Sequence, residues 1–239
     1  MRAVDEMRRS EVLNAHRSGA VASEAPSPGS IFSFVPAHGA CRAGAVAQQL
    51  SRTLTEGLGV AVLLADFDRR AYSVWSATEP PRRLDGRTWG AFVCEVDGTQ
   101  VLNAREVHPC QLTALLDYAR SHFAIVCADL TGAQESHALS VLQASDGIFL
   151  VSGSDGASIE GVREKMEWMR SIGLSERCGM LLEHTPHGVS ATEAEDLTGT
   201  PVCSLIENAD QIQQLATWLA SNTPAATECG IDGDQYAVA

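Results

Sequence analysis

The chain has few basic residues for its 239-residue length. Lysine and arginine total 17 against 30 aspartate and glutamate residues, so the formal net charge is −13. So acidic a chain does not offer a broad surface for nucleic-acid phosphates, which excludes a nonspecific DNA-binding protein. The apolar fraction of 45% is ordinary for globular proteins and excludes a chain that is disordered throughout.

The sequence also lacks paired cysteines and long apolar runs. Its seven cysteines form no CxxC pair, and an odd number of dispersed thiols is typical of a reducing compartment. No apolar run is long enough to span a membrane, and the first residues lack the apolar core of a signal peptide. We expect a cytoplasmic protein without direct membrane insertion.

Composition divides the chain into four segments. Residues 1–17 have a weakly amphipathic pattern that predicts an N-terminal helix, and residues 18–30, rich in Gly, Ala, Ser and Pro, predict a linker. Residues 31–222 alternate short apolar strands with helical segments, which predicts an α/β fold with three layers and a mostly parallel sheet. Residues 223–239 are small and acidic, and we expect a flexible tail.

The predicted strands of the domain begin with 31–35 and 60–65. An irregular region follows, with two short strands at 91–93 and 99–102. Further strands are predicted over 123–128, 147–151, 179–182 and 201–206, and helices over 45–54, 111–121, 134–144, 157–172, 191–197 and 209–222.

The loop after the first strand, Pro36 to Gly44, occupies the position of a phosphate-binding loop. A working P-loop needs backbone N–H groups, a lysine for the β/γ oxygens and a hydroxyl for Mg²⁺. This loop contains no lysine, and residues 43–47 contain no hydroxyl. Gly39, Arg42 and Gly44 are therefore candidates for a degenerate phosphate loop. Arg42 is its only cation, and a solvated loop arginine is the simpler interpretation.

Three aspartates follow predicted strands, where α/β sheets usually bind ligands. Asp66 and Asp68 end the second strand, and Asp129 ends the strand 123–128. We treat all three as weak candidates for catalysis and Asp66 and Asp129 as weak candidates for a metal. The alternative is that they cap strand ends and have no chemical role.

The order of these elements resembles the P-loop ATPases of the ParA/MinD class (SIMIBI type). Within that class the chain is most similar to the cytoplasmic tyrosine-kinase domains of bacterial capsular exopolysaccharide synthesis. The similarity covers residues 31–222 and rests on motifs at 39–54, 62–68, 125–129 and 179–183. The resemblance implies ATP in the loop and Mg²⁺ near Asp129. Glu183 stands where the family has its base-reading Asn, which puts adenine recognition in doubt.

The ends of the chain resemble these kinases only in part. Glu6, Arg9 and Asn14 match part of their oligomerisation helix, and Tyr236 is the only tyrosine in a tail that is tyrosine-rich in the kinases. Whether Tyr236 is modified is left open. The pairs His108/Cys110 and His184/His187 have the spacing of metal ligands, but a proline in each favours surface loops.

These departures predict a catalytically degenerate protein that holds no cofactor and acts as a regulatory or scaffolding partner in exopolysaccharide synthesis or export. The implied partner is a membrane polysaccharide co-polymerase or an active homologue, which would recruit the chain to the inner membrane; a homodimer is also implied. Two alternatives stay open. One is a deviant ATPase or tyrosine kinase in which Arg42 binds phosphate and Asp66, Asp68 and Asp129 organise Mg²⁺. The other is a ParA/MinD-like spatial organiser.

Overall fold

The computed structural model describes residues 28–68 and 89–223. The predicted N-terminal helix, most of the predicted linker, the acidic tail and Tyr236 lie outside these residues. The first strand begins at Ser30, one residue earlier than the sequence pattern predicts.

The described residues form one eight-stranded sheet in the order β3-β4-β2-β5-β1-β6-β7-β8. Only the β3/β4 pair within it is antiparallel, which confirms the predicted mostly parallel sheet. The strands are β1 (Ser30–Pro36), β2 (Val62–Asp66), β3 (Val93–Val96), β4 (Thr99–Asn103), β5 (Ile125–Asp129), β6 (Gly147–Gly153), β7 (Cys178–Glu183) and β8 (Val202–Leu205).

The helices match their predicted bounds within two residues. They are α1 (Ala43–Arg52), α2 (Leu112–His122), α3 (Glu135–Ala144), α4 (Gly156–Ser171), α5 (Ala191–Thr198) and α6 (Ala209–Asn222). A π-helical turn, Thr53–Gly57, follows α1.

The prediction of a strand at 91–93 was wrong for its first two residues. Residues Trp89–Phe92 form a 3₁₀ turn, and β3 starts at Val93. Asp97 and Gly98, both with positive φ, form the two-residue turn between β3 and β4. An Asp-Gly pair between apolar runs is a strong hairpin signal, so the sequence did contain the information that locates this strand.

The two faces of the sheet are covered by different helices. Side chains alternate along β1, so Ile31 and Val35 join one hydrophobic cluster while Phe32 and Phe34 join the other. The first cluster includes residues of α2, α3 and α4, and the second includes residues of α1 and α6. This arrangement confirms the predicted three-layer α/β/α architecture.

Chain crossovers make the carboxyl end of β1 the switch point of the sheet. β1 lies between β5 and β6, the crossover through α1 covers one face, and the crossover through α3 covers the other. Connections that leave in opposite directions open a crevice at this point, which is where α/β sheets bind ligands.

Candidate functional site

The loop from Ala37 to Arg42 joins the carboxyl end of β1 to α1. The backbone N–H of Cys41 donates to the carbonyl of His38 at 2.9 Å, and the N–H of Ala40 donates to the His38 imidazole at 3.4 Å. Two amides of the loop are therefore used inside a tight turn. A phosphate-binding loop instead directs such amides at its anion.

Arg42 immediately precedes α1, and its guanidinium forms an ion pair with the carboxylate of Glu183 at the end of β7. The side chain of Arg42 is 69% exposed and that of Glu183 is 33% exposed. The interpretation of Arg42 as a purely solvated residue was incomplete, because a specific carboxylate neutralises it. The pair links the only cation of the loop to the carboxyl end of β7.

Gly44, in the first turn of α1, lies directly against Asp129. A Cβ added at Gly44 would overlap the Asp129 Oδ2 atom and would lie 3.2 Å from its Cγ. Any side chain at this position, including a serine or threonine, would have to displace the carboxylate. The close approach of Gly44 to Asp129 therefore leaves no space for a side chain at position 44.

Asp66 and Asp129 lie side by side at the carboxyl ends of β2 and β5, where they are register partners. Each carboxylate accepts a hydrogen bond from a backbone N–H two residues further on, Asp68 for Asp66 and Thr131 for Asp129, both at 2.9 Å. This is the Asx-turn geometry by which aspartate ends a strand. Both carboxylates therefore have a structural use that requires no metal.

Arg105 provides a cation to this cluster. Its Nη2 atom donates to Asp66 Oδ2 at 3.0 Å, and the two side chains are 17% and 0% exposed. A buried carboxylate needs such a partner, because an unpaired charge in the interior is costly. Sequence reasoning missed Arg105, and its position directly after β4, whose last residue Asn103 is the register partner of Asp66, was the available signal.

Burial raises the pKa of the Asp129 carboxyl from 3.8 to about 6. Hydrogen bonds from Thr131 oppose this shift, and the nearby charges of Asp66 and Asp68 add to it. Asp68 is buried in the same place, with 7% of its surface exposed. The structure therefore brings the three candidate aspartates together at the ends of neighbouring strands.

Helix α4 holds the loop from the other side. A Cβ added at Gly161 would overlap the carbonyl oxygen of Ala37, so α4 and the loop are in backbone contact there. The thiol of Cys41 lies 3.9 Å from the hydroxyl of Ser158, in the first turn of α4. Asp155 caps that helix by accepting from the N–H of Ser158 at 3.1 Å. The loop is thus fixed by α4 as well as by Glu183.

The described residues do not fit a magnesium nucleotide in the way that a P-loop binds one. Neither a lysine nor a hydroxyl stands at the start of α1, Arg42 is paired with Glu183, and Arg105 is paired with Asp66. Within residues 28–68 and 89–223, no three His, Cys, Asp or Glu side chains form a group that could hold a metal ion.

The histidine pairs lie in exposed turns. His184 and His187 are exposed, and His187 has a φ of 67°. The Nδ1 atom of His108 lies 3.0 Å from the exposed thiol of Cys110, at the start of a 3₁₀ turn. None of these side chains is near the carboxylate cluster in the hydrogen-bond network of the described residues.

Across the described ranges, no helix combines the length and the apolar character that crossing a bilayer requires.

Comparison of the whole fold finds P-loop ATPases of the ParA/MinD class. A ParA family ATPase from Chlorobium tepidum is 16% identical, with a TM-score of 0.66 over 83% of this chain and 90% of that one. The septum site-determining protein MinD from Pyrococcus horikoshii, complexed with Mg-ADP, is 15% identical, with a TM-score of 0.60 over 82% and 91%. A putative plasmid partition protein from Borrelia burgdorferi bound to AMPPNP is 12% identical, with a TM-score of 0.61 over 82% and 98%.

No protein-family model and no curated protein matches the sequence. The structural neighbours match at low identity and therefore establish the fold alone. The chain has the three-layer fold of the ParA/MinD P-loop ATPases.

Proposed function

We propose that this chain is a catalytically degenerate protein of the ParA/MinD fold that regulates or scaffolds other proteins. The observation that carries the proposal is the ion pair between Arg42 and Glu183. The only cation of the loop is neutralised by the chain itself, so an incoming phosphate has to compete with a carboxylate that is already in place. The absence of a hydroxyl from residues 43–47 adds support, because a P-loop uses that group to bind Mg²⁺.

The second acidic site supports the same proposal. Asp66 and Asp129 terminate their strands through Asx turns, and Arg105 supplies positive charge to Asp66. Phosphoryl transfer depends on electrostatic stabilisation by a lysine and a metal ion. Without that lysine and with these internal pairings, little stabilisation of a transition state is left. Neither ATP nor Mg²⁺ is required by this function.

The pathway that we propose is the synthesis or export of an exopolysaccharide. Its support is the resemblance of the loop and strand motifs to the capsular tyrosine-kinase domains. The partner would be a membrane polysaccharide co-polymerase or an active homologue, and it would recruit the protein from the cytoplasm to the inner membrane. A homodimer formed without nucleotide is part of this proposal, and size-exclusion chromatography with light scattering measures it.

Isothermal titration calorimetry with Mg²⁺-ATP tests the loss of chemistry. We expect no saturable heat with the full chain at millimolar ATP and no phosphate release above the protein-free rate. Arg42→Ala should behave like the wild type. Arg163→Ala is the matched control, because Arg163 is an exposed arginine paired with Glu160 on α4. Micromolar binding with turnover that Arg42→Ala abolishes would refute the proposal and favour a deviant ATPase.

A specific observation favours that rival. Asp66, Asp68 and Asp129 converge in a buried cluster beside the loop, as an ATPase that uses Mg²⁺ would require. The spatial-organiser alternative is favoured by the structural neighbours, which include a septum site-determining protein and a putative plasmid partition protein. Genes beside the coding gene separate the pathways. Sugar transferases and a chain-length membrane protein support exopolysaccharide synthesis, whereas partition genes support the organiser.

A further inference from the structure

A cavity of about 470 Å³ lies between α3 and α4, on the face of the sheet that α1 does not cover. Its walls come from the end of β1, the loop after β5 and the facing sides of the two helices. Its lining includes Val35, Leu130, Ala138, Leu142, Lys165 and Trp168. Small-molecule sites typically enclose about 300–1,000 Å³, so the cavity has the volume of a ligand site.

The cavity lies at the carboxyl end of the sheet. Val35 and Pro36, which line it, are the last two residues of β1. The crossover from β5 through α3 to β6 passes over this end of β1 and leaves space beneath it. α/β folds bind ligands in crevices of this kind.

Lys165 gives the cavity its positive charge. It is the only lysine in the chain, and its side chain is half-buried in the wall. Among the described residues its ammonium forms no ion pair, although the chain has 30 acidic residues. A partly desolvated charge without a partner costs free energy that a bound anion would offset. Glu135 also lines the cavity, but it is the exposed first residue of α3 and lies nearer to solvent.

The remaining walls are apolar and include one indole. Trp168 follows Lys165 by three residues and therefore lies on the same face of α4. Opposite it, α3 contributes Ala138 and Leu142. A half-buried indole with aliphatic neighbours can pack against a planar apolar ring. Lys165 lies one helical turn from Trp168, so its ammonium can reach an acidic group on that ring.

We propose that this cavity binds a compact aromatic anion, with its ring system against Trp168 and Leu142 and its acidic group at Lys165. The site does not involve Arg42, the cation of the loop, and does not rest on the function proposed above. Its ligand class is set by the single cation, Lys165, among lining residues that are otherwise apolar except for Glu135.

Titration of the full chain with 8-anilinonaphthalene-1-sulfonate tests this site, because the probe combines an aromatic body with one anionic group. We expect saturable fluorescence enhancement in the wild type. Lys165→Gln should weaken binding by about tenfold, the typical effect of losing a charge-assisted hydrogen bond. Arg163→Gln removes the same charge from an exposed site on the same helix and should bind like the wild type.

Two further measurements locate the probe. Ala138→Leu fills the cavity and should abolish binding while the far-ultraviolet circular dichroism stays unchanged. The uncharged analogue N-phenyl-1-naphthylamine should bind more weakly than the sulfonate to the wild type and equally to wild type and Lys165→Gln. The proposal is overturned if the wild type does not saturate, if Arg163→Gln weakens binding as much as Lys165→Gln, or if folded Ala138→Leu binds normally.

Discussion

Arg42 and Glu183 are 141 residues apart in the sequence and form an ion pair across the carboxyl end of the sheet. Arg42 belongs to the loop between β1 and α1, and Glu183 is the last residue of β7. The guanidinium and the carboxylate neutralise each other. The two positions therefore form one electrostatic unit.

Glu183→Gln should release Arg42 and increase its affinity for polyphosphate. Since both side chains are partly exposed, we expect the free energy of unfolding to change by less than about 1 kcal/mol. Calorimetry with tripolyphosphate should detect binding to the variant that the wild type lacks. Glu160→Gln, which breaks an exposed pair with Arg163, is the matched control. Equal heats for all three proteins would contradict the competition between Glu183 and phosphate.

Gly44→Ser should destabilise the protein by about 1–3 kcal/mol, because the added atoms overlap the Asp129 carboxylate in a packed site. Gly39→Ser in the same loop is the control, since nothing lies within 4 Å of a Cβ added there. Urea denaturation measures both changes. Adding Asp129→Ala to Gly44→Ser should recover part of the loss, and additive effects would exclude the contact as the cause.

Arg105→Leu should cost about 3 kcal/mol, because it removes a guanidinium that donates a hydrogen bond to the fully buried Asp66 carboxylate. Combining it with Asp66→Asn should restore much of this loss, since the buried carboxylate charge is then removed as well. A double-mutant cycle by chemical denaturation gives the coupling energy between the two residues. A coupling near zero would show that Arg105 does not neutralise Asp66.

Asp129→Asn should stabilise the protein at neutral pH. The pKa of Asp129 is about 6 in the folded chain and 3.8 in the reference state, so the folded state binds this proton more tightly. The protonated Asp129 carboxyl therefore adds to the free energy of unfolding. This contribution is complete below about pH 4 and is lost as the pH rises through 6. The variant, which cannot ionise, should gain up to about 3 kcal/mol over the wild type above that pH, at about 1.4 kcal/mol per pKa unit.

Urea titrations of both proteins between pH 4 and 8 measure this difference. The difference in free energy of unfolding between Asp129→Asn and the wild type should increase between pH 4 and 6 and stay constant above pH 6. Asp117→Asn, an exposed substitution on α2, should show no such pH-dependent difference from the wild type. A gap between wild type and Asp129→Asn that does not vary with pH would contradict the raised pKa.

Periodicity and apolar runs were enough to predict the fold. Strands such as β1 and β5 are short, apolar and buried on both faces, as parallel strands covered by helices must be. β3 was misplaced because apolar Ala91 and Phe92 outweighed the Asp97-Gly98 turn signal. Local propensity favoured a strand that begins at Ala91, whereas the turn signal is consistent with the observed start at Val93.

The site was predictable only in part, for a physical reason. Strand ends located Asp66 and Asp129, because parallel strands bring their carboxyl ends to one edge of the sheet. The partners Glu183 and Arg105 reach the cluster from other strands, and pairing between distant residues leaves no local pattern in one sequence. The contact of Gly44 with Asp129 is likewise a property of packing distance that residue spacing does not encode.

The Asx turns at Asp66 and Asp129 show that an aspartate at the end of a strand in this fold can have a structural role. A carboxylate that satisfies the amide two residues later helps to reverse the chain at the sheet edge, so it contributes to folding even when no cation is bound. Substitution of such an aspartate by a residue that cannot accept this hydrogen bond is penalised whether or not the protein hydrolyses anything. Its presence is therefore poor diagnostic proof of activity, and the lysine and hydroxyl of the loop are the better markers.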